Sequence, residues 1–459
     1  MTPVSPNMGA LLPWPAGLFA GRRYAVVGLG RNGLPAARAL LGLGASVSVW
    51  DDSPASRAAS GLPLHDPAAG LHGFDALVLS PGIPHRLPAP HPSALAAADA
   101  GIPVLSDADL LFQAVRAAGS GADFVGITGT NGKSTTTALL AHILDTSGRP
   151  NAAGGNLGTA ALALPLLGNE GVYVLEMSSY MLERLQALRF DAAALLNLSP
   201  DHLDRHGDMA GYTAAKLHIF DRQQPGDAAL VGIDDPDTAA LAPGRTTVSG
   251  HQPADVWCDA GTLRDAAGPI LAMAEAPALP GAHNAQNAAA AAALALALGV
   301  GRAAIARGIA TFAGLPHRQQ LVATVDGVAW VNDSKATNAD AAARALACYD
   351  RFVWIAGGQA KAGGIEALRP LLPRVAHAEL IGQDAPVLAA TLAAAGVPHH
   401  TSGTLDAAVP LAAAAARRKG APVVLLSPAC ASFDQFSGFE ARGARFRDLA
   451  LAQRMQGAA

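Results

Sequence analysis

The sequence predicts an α/β protein in three domains, each built on a largely parallel sheet. From Arg23 onward, short runs of β-branched residues alternate with Ala- and Leu-rich stretches of helical length, the pattern of strands joined by helical crossovers. Glycine-rich turns directly follow two of these strands. A chain of 459 residues with 51% hydrophobic residues exceeds one ordinary core, so we expect domains over residues 1–112, 113–313 and 314–459.

The composition excludes several classes of protein. Only 15% of the residues are charged and the net charge is −4, which gives no basic surface for nucleic acid or anionic lipid. The longest apolar run, residues 288–300, is shorter than the roughly 20 residues of a membrane span. Three cysteines without a CxxC pair, and a start without the basic region of a signal peptide, favour a reducing cytoplasm. We therefore expect a cytoplasmic protein with small-molecule partners and, without a heptad stripe, a monomer.

The first domain opens with strand, glycine turn, helix and strand in "YAVVGLGRNGLPAARALLGLGASVSVWDD". Gly28, Gly30 and Gly33 have the spacing of a Rossmann-like unit, in which a diphosphate approaches a helix N-terminus. Asp51 ends the second strand, where such units carry an acid for a ribose. A nicotinamide or flavin dinucleotide fits this pattern, and so does any other nucleotide diphosphate. The alternative is a turn with a purely structural role.

The second domain opens with the strand "DFVGITG" and the loop "TNGKSTTT". The loop ends in the GK[ST] of a phosphate-binding loop, in which backbone N–H groups and a lysine hold phosphate oxygens and the hydroxyl ligates Mg2+. The strict pattern requires glycine at position 127, where Ile127 stands. Strand, loop and helix still predict a central P-loop ATPase-type parallel sheet, with a glycine turn of no binding function as the alternative. The candidates for phosphate binding are Gly129, Thr130, Asn131, Gly132, Lys133, Ser134 and Thr135.

Two further strands of this domain end in polar residues, in "LEMSS" and "NLSPDHLDRH". Phosphoryl transfer needs carboxylate or imidazole ligands for Mg2+ beside the lysine, and Glu176 and His202 suit that role. His202 and His206 also have the spacing of a zinc pair, although no third ligand stands at a helpful spacing. Helix capping by Ser199 or Asp201 is a structural interpretation of the same stretch.

Three polar residues lie on predicted helices of the second domain. Lys216 lies on an amphipathic helix, where composition alone favours a solvated surface lysine. Asn284 and Asn287 share one helical face. They face a bound adenine or simply cap the Ala-rich helix that follows.

The third domain, a second Rossmann-like unit, carries basic and hydroxyl groups at predicted strand ends. Such groups donate hydrogen bonds to carboxylate oxygens and therefore suit an anionic substrate, whereas ordinary loop polarity is the alternative. The candidates are Arg318, Asp333, Ser334, Lys335, Thr337, Asn338, Lys361, Ser432 and Phe439.

Taken together, these stretches resemble the Mur ligase family of peptidoglycan synthesis over nearly the whole chain. "TGTNGKSTTT" is similar to the loop variant of that family, which accounts for the missing glycine. "GLGRNG", "SPGI", "GGNLG", "GLPHR", "NDSKATN" and "LSPACASFDQF" resemble the branch of the family that adds D-glutamate. The resemblance implies an ATP-dependent amide ligase in cell wall biogenesis, and so in cell shape and division. Its partners would be ATP, two Mg2+ ions, D-glutamate and UDP-N-acetylmuramoyl-L-alanine.

The resemblance also implies roles for residues. The UDP-substrate would contact Gly30, Asn32, Gly33, Asp51, Ser80, Gly82, Asn156 and Ser178. ATP would be held by the phosphate loop with Asn284, Asn287, Arg318 and Asp333. Glutamate would contact Lys335, Thr337, Lys361, Ser432 and Phe439, and metal would contact Ser134, Glu176, His202 and a carbamylated Lys216. Lys133, Glu176, His202 and Lys216 would be catalytic, and closure of the third domain would assemble the site.

Three positions depart from the family pattern. Met181 stands where the family usually has glutamine, Gln359 where it has an acid, and Phe433 where leucine is common. Since Phe433 adjoins Ser432, a ligase for L-glutamate is an alternative. A nicotinamide-dependent dehydrogenase accounts for the first domain only, and a transport ATPase for the phosphate loop only. A non-catalytic scaffold would require that Lys133, Glu176, His202, Lys335 and Lys361 occur together by coincidence.

Overall fold

A computed structural model describes residues 11–156, 158–361 and 363–456. The chain divides into two compact units. The first covers the described residues up to Pro277 together with Ala282–Phe312, and the second covers Ala278–Gly281 with the described residues from Ala313 onward. In the described part of the chain, no helix combines the length and apolar character needed to cross a membrane. The division into three domains stays a prediction.

Residues 11–117 contribute a four-stranded parallel sheet, in which the strands follow the order β3 (Ser46–Trp50), β2 (Arg23–Val27), β4 (Ala76–Leu79) and β5 (Val104–Leu105). The central strand β2 pairs with β3 and β4 on either side, so its last residues are buried and the glycine turn follows at the sheet edge where ligands gather. The strands are β1 Leu11–Leu12, β2 Arg23–Val27, β3 Ser46–Trp50, β4 Ala76–Leu79 and β5 Val104–Leu105. The helices are α1 Gly33–Gly42, α2 Pro54–Ser60, α3 Pro92–Asp99 and α4 Asp107–Ala117.

The rest of the first unit contains a nine-stranded sheet with the order β15-β14-β13-β12-β11-β10-β6-β9-β7. Neighbours from β7 to β13 are parallel, and β14 and β15 add an antiparallel edge. The short β8 pairs with β1 instead. The strands are β6 Asp123–Thr128, β7 Asn151–Gly155, β8 Leu166–Leu167, β9 Val172–Glu176, β10 Ala192–Leu195, β11 Ala228–Gly232, β12 Thr246–Ser249, β13 Val256–Asp259, β14 Thr262–Asp265 and β15 Gly268–Ala272.

The helices of this sheet include the Ala-rich run that the sequence predicts as a buried helix. Its alanines 288–292 are fully buried in α10, because their small side chains allow close packing. Strand β6, which leads into α5, lies between β10 and β9 in the sheet. The ends of these three strands, which carry predicted functional residues, therefore adjoin one another. The helices are α5 Lys133–Thr146, α6 Ser179–Leu182, α7 Leu203–His206, α8 Met209–Leu217, α9 Pro236–Ala239, α10 Ala282–Ala297 and α11 Arg302–Thr311.

The second unit is built on a six-stranded sheet with the order β16-β17-β21-β18-β19-β20. All neighbours are parallel except β16 and β17, and apolar clusters cover both faces. Thus the α/β fold class is confirmed. The strands are β16 Gln320–Val325, β17 Val328–Asn332, β18 Phe352–Gly357, β19 Val375–Ile381, β20 His399–Gly403 and β21 Val423–Leu426. The helices are α12 Ala339–Leu346, α13 Ala385–Ala394, α14 Leu405–Lys419 and α15 Phe439–Gln456.

Candidate active site

The loop between β6 and α5 has the geometry of a phosphate-binding turn. Gly129 and Gly132 adopt positive φ angles of 150° and 84°, which side chains disfavour, and Gly132 precedes the first residue of α5. Ile127 is not part of the turn: it lies inside β6, fully buried, and pairs with Glu176 of β9. The strand therefore extends over the position at which the strict pattern requires glycine, and the turn begins later.

Residues after β10 hold this loop in place. The Asn131 N–H donates to Asn197 Oδ1 (2.8 Å), and the Ser199 N–H donates to Thr130 Oγ1 (3.0 Å). The Asn197 Nδ2 in turn donates to the Asn131 carbonyl (3.1 Å). Sequence reasoning missed Asn197, although its position at a strand end beside the loop was available as a signal.

Two lysines converge on one carbonyl of the loop. Lys133 Nζ donates to the carbonyls of Gly129 (2.7 Å) and Thr130 (2.8 Å), and Lys216 Nζ also donates to Gly129 (2.9 Å). Lys216 is only 1% exposed, so the surface position favoured by composition is wrong. Burial, and then repulsion from Lys133, lowers the pKa of Lys216 well below its ordinary value. The fold thus disfavours the charged form of this amine.

A buried carboxylate lies on β9, the strand paired with β6, and its charge acts on Lys216. Glu176 ends β9, and its Oε1 accepts a hydrogen bond from Asn156 Nδ2 (2.6 Å). Among the residues that the structure describes, none offers a hydrogen bond to its buried Oε2. An orphaned carboxylate oxygen is costly unless a cation or a donor joins it. The residues present therefore fit a Mg2+ ion at Glu176, which is a ligand type that Mg2+ prefers.

His202 lies at the start of α7 with a positive φ of 53°. Its ring packs 4.9 Å from that of Tyr180, and burial is the main cause that lowers its pKa. Neither Ser199 nor Asp201 caps α7, because His202 itself occupies the cap position. Ser178 instead caps α6 by accepting from the Met181 N–H (3.3 Å).

The zinc alternative finds no support. The buried His206 ring contacts Ser179 Oγ at 3.0 Å and stacks on Tyr180. No group of three His, Cys, Asp or Glu side chains suited to a metal ion occurs within the residues that the structure describes. The cation site suggested by Glu176 accordingly needs ligands from bound phosphate, water or a modified lysine.

The predicted adenine contacts lie beside the phosphate loop. Asn287 Nδ2 donates to Asn284 Oδ1 (3.1 Å), and Thr136 Oγ1 of α5 donates to Asn287 Oδ1 (3.3 Å). A Cβ on Gly132 would stand 2.3 Å from Asn287 Oδ1. Both asparagines are buried inside α10 rather than standing before it. The interpretation that they merely cap this helix is therefore wrong.

A cavity of about 540 Å³ lies beyond β2 and β4 in the first unit. It brings together six of the predicted UDP-substrate residues, namely Gly30, Asn32, Asp51, Ser80, Gly82 and Asn156. Gly33 and Ser178 do not line it. A Cβ on Gly33 would stand 1.8 Å from the Gly28 carbonyl, so this glycine allows α1 to approach the strand.

Asp51 has a structural task in this cavity. Its carboxylate accepts hydrogen bonds from the Leu29 N–H (2.6 Å) and the Ser53 N–H (2.9 Å). It therefore fixes the glycine turn by its side chain. Asn32 Nδ2 donates to the Gly155 carbonyl (3.2 Å) and so ties the same turn to β7.

In the second unit, Asp333 follows β17 and is buried. Ser427 Oγ donates to its Oδ2 (2.8 Å), and the Gln319 N–H donates to its Oδ1 (3.2 Å). Burial raises the pKa of Asp333 to about 7, against the opposing effects of these hydrogen bonds and of Arg318. Arg318 lies in the turn before β16, where its N–H donates to the Leu315 carbonyl (3.2 Å).

The predicted glutamate residues lie on three loops of the second unit and at the start of α15, where Phe439 is the first residue. Lys335 Nζ stands 4.0 Å from the centroid of the Phe439 ring, and Ser432 is buried. The Thr337 N–H donates to the Lys335 carbonyl (2.9 Å). Lys361 is exposed and follows β18. The structure thus brings Lys335 and Phe439 into contact.

Sequence reasoning missed Arg442, which connects these loops. It is 1% exposed, and its guanidinium donates to Ser334 Oγ (3.0 Å), the Ser334 carbonyl (2.9 Å) and the Cys430 carbonyl (3.1 Å). Longer contacts of 3.4 and 3.5 Å reach the carbonyls of Gly357 and Ala431. Burial lowers its pKa to about 10, so it stays cationic at neutral pH. Its place in "FEARG" carries no spacing signal of this role.

The three departures from the family pattern occupy different environments. Met181 is fully buried in α6. Gln359 exchanges two backbone hydrogen bonds with Ala431 (2.9 and 2.8 Å), which join two of the loops. Phe433 is 70% exposed, so its ring does not fill the core beneath Ser432.

A parallel-sheet fold, a phosphate loop and a separate nucleotide-type cavity together define the class. Residues 127–295 match the Mur ligase middle domain. The chain belongs to the Mur ligase family, whose members are ATP-dependent ligases of peptidoglycan precursor synthesis. The family predicted from the motifs is thereby confirmed.

Two bacterial relatives show high sequence identity to this chain over nearly its full length. The chain is 50% identical to UDP-N-acetylmuramoylalanine--D-glutamate ligase of Paramagnetospirillum magneticum over 96% of this chain and 99% of the relative. It is 48% identical to the protein of the same name from Rhodospirillum rubrum, covering 94% of each.

Solved structures support the fold. UDP-N-acetylmuramate-alanine ligase MurC of Thermotoga maritima matches with a TM-score of 0.60 at 17% identity, covering 95% of this chain and all of that one. MurF ligase of Thermotoga maritima, solved in complex with ADP, matches with a TM-score of 0.54 at 19% identity over 84% of this chain and 89% of that one.

Proposed function

We propose that this protein uses ATP to join D-glutamate to UDP-N-acetylmuramoyl-L-alanine, releasing ADP and phosphate in the cytoplasm. The observation that carries the proposal is the convergence of Lys133, Lys216 and Glu176 at a phosphate loop. The names of its relatives at about half identity support the choice of substrates. The cavity beyond β2 and β4 offers space for the UDP-bearing substrate.

The chemistry has two steps. A carboxylate resists attack by an amine, so an oxygen of the alanyl carboxylate first bonds to the γ-phosphorus of ATP while the bond to the β-phosphate oxygen breaks. ADP leaves and an acyl phosphate remains. The neutral amino group of glutamate then attacks the acyl carbon, loses a proton, and expels inorganic phosphate to leave the amide.

Each group of the phosphate loop has a proposed task in the first step. The loop amides and Lys133 would hold the β- and γ-phosphates, and Asn284 and Asn287 would contact the nucleotide. When bound, two Mg2+ ions would neutralise phosphate charge; Ser134, Glu176 and His202 would hold them, with Lys216 if carbamylated. Arg318 and Asp333 of the second unit would also contact the nucleotide.

Lys216 fits carbamylation because its amine is buried and its pKa is depressed. A neutral amine attacks CO2 and loses one proton, which converts a cation into an anion. The carbamate on Lys216 would be a further ligand for the cation proposed at Glu176 Oε2. This change would also relieve the repulsion between Lys216 and Lys133.

The second unit supplies the proposed amino-acid site. Lys335, Thr337, Lys361, Ser432 and Phe439 would contact glutamate, whose carboxylates suit ammonium and hydroxyl donors. The names of the relatives support D-glutamate over L-glutamate.

The test is phosphate release from ATP by the purified protein with Mg2+ and UDP-N-acetylmuramoyl-L-alanine. Reactions with D-glutamate, with L-glutamate, without an amino acid and without the UDP-substrate are compared, and Lys133→Met serves as the inactive control. Release that requires D-glutamate supports the proposal. Release with L-glutamate alone refutes the assignment of D-glutamate as the substrate. Release independent of the UDP-substrate refutes the proposed ligase reaction.

A further inference from the structure

Two arginines that the mechanism does not use are buried behind the wall of the UDP-substrate cavity. Arg184 follows α6 and is 3% exposed, and Arg205 lies in α7 and is 6% exposed. Arginine is rarely buried to this degree unless its donors are satisfied. The groups that satisfy them therefore show what the two side chains hold.

Both arginines donate hydrogen bonds to backbone carbonyls of the same four-residue turn, Ser80–Ile83, which lines the cavity. Arg184 donates to the carbonyls of Leu79 (2.6 Å), Ser80 (3.1 Å) and Ile83 (2.5 Å). Arg205 donates to the carbonyls of Ile83 (3.2 Å) and Gly82 (3.4 Å). Four contacts thus fix the backbone of the turn, a fifth holds the end of β4 just before it, and neither arginine lines the cavity itself.

Arg205 also holds a second part of the cavity wall. Its guanidinium carbon lies 4.6 Å from the centroid of the Tyr180 ring, a distance at which a cation is attracted to the ring face. Tyr180 lines the cavity and contacts the His202 ring. Arg205 therefore contacts both the turn and Tyr180, and through Tyr180 it is linked to His202.

The charges of this cluster do not balance. Glu183 pairs with Arg205 (3.2 Å) and with His85 (3.2 Å). Burial pushes the pKa of Glu183 upward, but His85, Arg205 and Arg184 hold it below its ordinary value, so it is ionised at neutral pH. Two guanidinium groups thus face one carboxylate. The surplus positive charge lies behind a turn that faces the cavity.

We propose that Arg184 and Arg205 are positioning residues for the UDP-bearing substrate, which fix the turn Ser80–Ile83 and add positive charge behind it for the diphosphate. This inference rests on the proposed function. Three carbonyls of the turn, those of Ser80, Gly82 and Ile83, accept from the arginines. The N–H groups of Ser80 and Ile83 donate to the carbonyls of Val27 (2.9 Å) and Ser80 (3.0 Å), so the turn is also held from within. Ser80 illustrates the arrangement, since its Oγ donates to the Gly28 carbonyl (2.7 Å) and joins the turn to the glycine loop.

The experiment compares Arg184→Met, Arg184→Lys and Arg205→Met with the unmodified enzyme. Steady-state kinetics give kcat and the KM values for UDP-N-acetylmuramoyl-L-alanine, ATP and D-glutamate. Calorimetry gives the affinity for UDP-N-acetylmuramoyl-L-alanine without ATP, and thermal unfolding shows whether each variant is folded. The control is Arg302→Met, because Arg302 pairs with Asp265 and donates to the carbonyls of Gly268 (2.8 Å) and Pro269 (3.0 Å). These partners lie on β14 and β15, at the opposite edge of the sheet from β7 and the cavity.

The expected result is selective. Arg184→Met and Arg205→Met raise the KM and Kd for the UDP-substrate about tenfold or more, because a displaced wall misplaces the ligand. The KM values for ATP and D-glutamate change by less than about twofold, and Arg184→Lys recovers part of the loss because it keeps the charge without the planar fork. Arg302→Met lowers the unfolding temperature without changing the KM for the UDP-substrate.

Equal losses of affinity for all three substrates, or an unchanged KM in folded Arg184→Met, would overturn the inference. A variant that does not fold leaves Arg184→Lys and Arg205→Met to decide in the same way. The two proposals fail differently: an unmodified enzyme that neither binds nor consumes the UDP-substrate overturns the proposed function, whereas normal turnover with insensitive variants overturns only the role of the arginines.

Discussion

Replacing Asp333 by asparagine should stabilise the second unit at alkaline pH while it reduces ligase activity. Asp333 is buried, and its carboxyl pKa is raised from 3.8 to about 7 by burial. A raised pKa means that the folded state penalises the ionised form. The stability associated with the protonated form is complete below pH 3.8 and is lost as the pH rises to about 7. Asparagine has the same shape and never ionises.

The size of the effect follows from the two pKa values. Each unit of difference corresponds to about 1.4 kcal/mol, and integration between pH 5 and pH 8 gives a loss of about 3 kcal/mol in the unmodified protein. The Ser427 hydroxyl can rotate to accept from an amide, and the Gln319 N–H can still donate to the asparagine oxygen. Asp333→Asn should therefore gain about 3 kcal/mol over the unmodified protein between these two pH values.

The assay is native-state hydrogen exchange of peptides from β18, whose residues are all buried. Both proteins are compared at the same pH, so the intrinsic exchange rate cancels. Asp406→Asn is the control in the same unit, because the exposed Asp406 pairs with Arg445, which is the main cause that lowers its pKa. A stability difference between Asp333→Asn and the unmodified protein that stays constant with pH would refute the reasoning.

Three further predictions test the site. Lys216→Gln should lower kcat at least about a hundredfold, because it removes a group at the phosphate loop. In the unmodified protein, mass spectrometry at high bicarbonate should find the mass of one CO2 on Lys216 but not on the exposed Lys419. An active Lys216→Gln variant would contradict this prediction. Gly33→Ala should destabilise the protein by about 1–3 kcal/mol and weaken binding of the UDP-substrate, since the added Cβ would stand 1.8 Å from the Gly28 carbonyl. Thermal unfolding measures the stability and calorimetry measures the affinity. The control Gly42→Ala, where an added Cβ meets open space, should change neither the stability nor the affinity. Arg442→Met should raise the KM for D-glutamate more than that for the UDP-substrate, because Arg442 connects the loops of Lys335 and Ser432, and equal changes in both KM values would argue against this.

Much of the fold could be predicted because its signals are local. A strand that ends in a glycine turn and enters a helix needs only neighbouring residues, as at Gly132 and Lys133. The alternation of such units predicted parallel sheets, and the polar residues that follow β9 and β10 do lie beside the phosphate loop. The cavity residue Gly30 was found in the same way, from a strand end, whereas Ser80 and Asn156 were named only through the resemblance to the family.

Burial was harder to predict, as Lys216 shows. Composition favours a solvated lysine on α8, but the helix turns Tyr212, Ala215 and Lys216 inward. Which face of a short helix is buried depends on what packs against it, and the sequence of the helix does not contain that information. The spacing of four between Tyr212 and Lys216 was a weak signal, since the amine lies 4.7 Å from the centroid of the tyrosine ring.

The arginines Arg184, Arg205 and Arg442 escaped prediction for a related reason. A phosphate loop is recognised by spacing because one short segment performs the whole task. A guanidinium has five donors in a rigid fork, so one side chain can hold carbonyls from segments far apart in sequence. Arg184 contacts Leu79 from 105 residues away, and Arg442 contacts Ser334 from 108 residues away. Such separations leave no fixed spacing, so residues that shape a site from behind become visible only when the loops they hold are seen together.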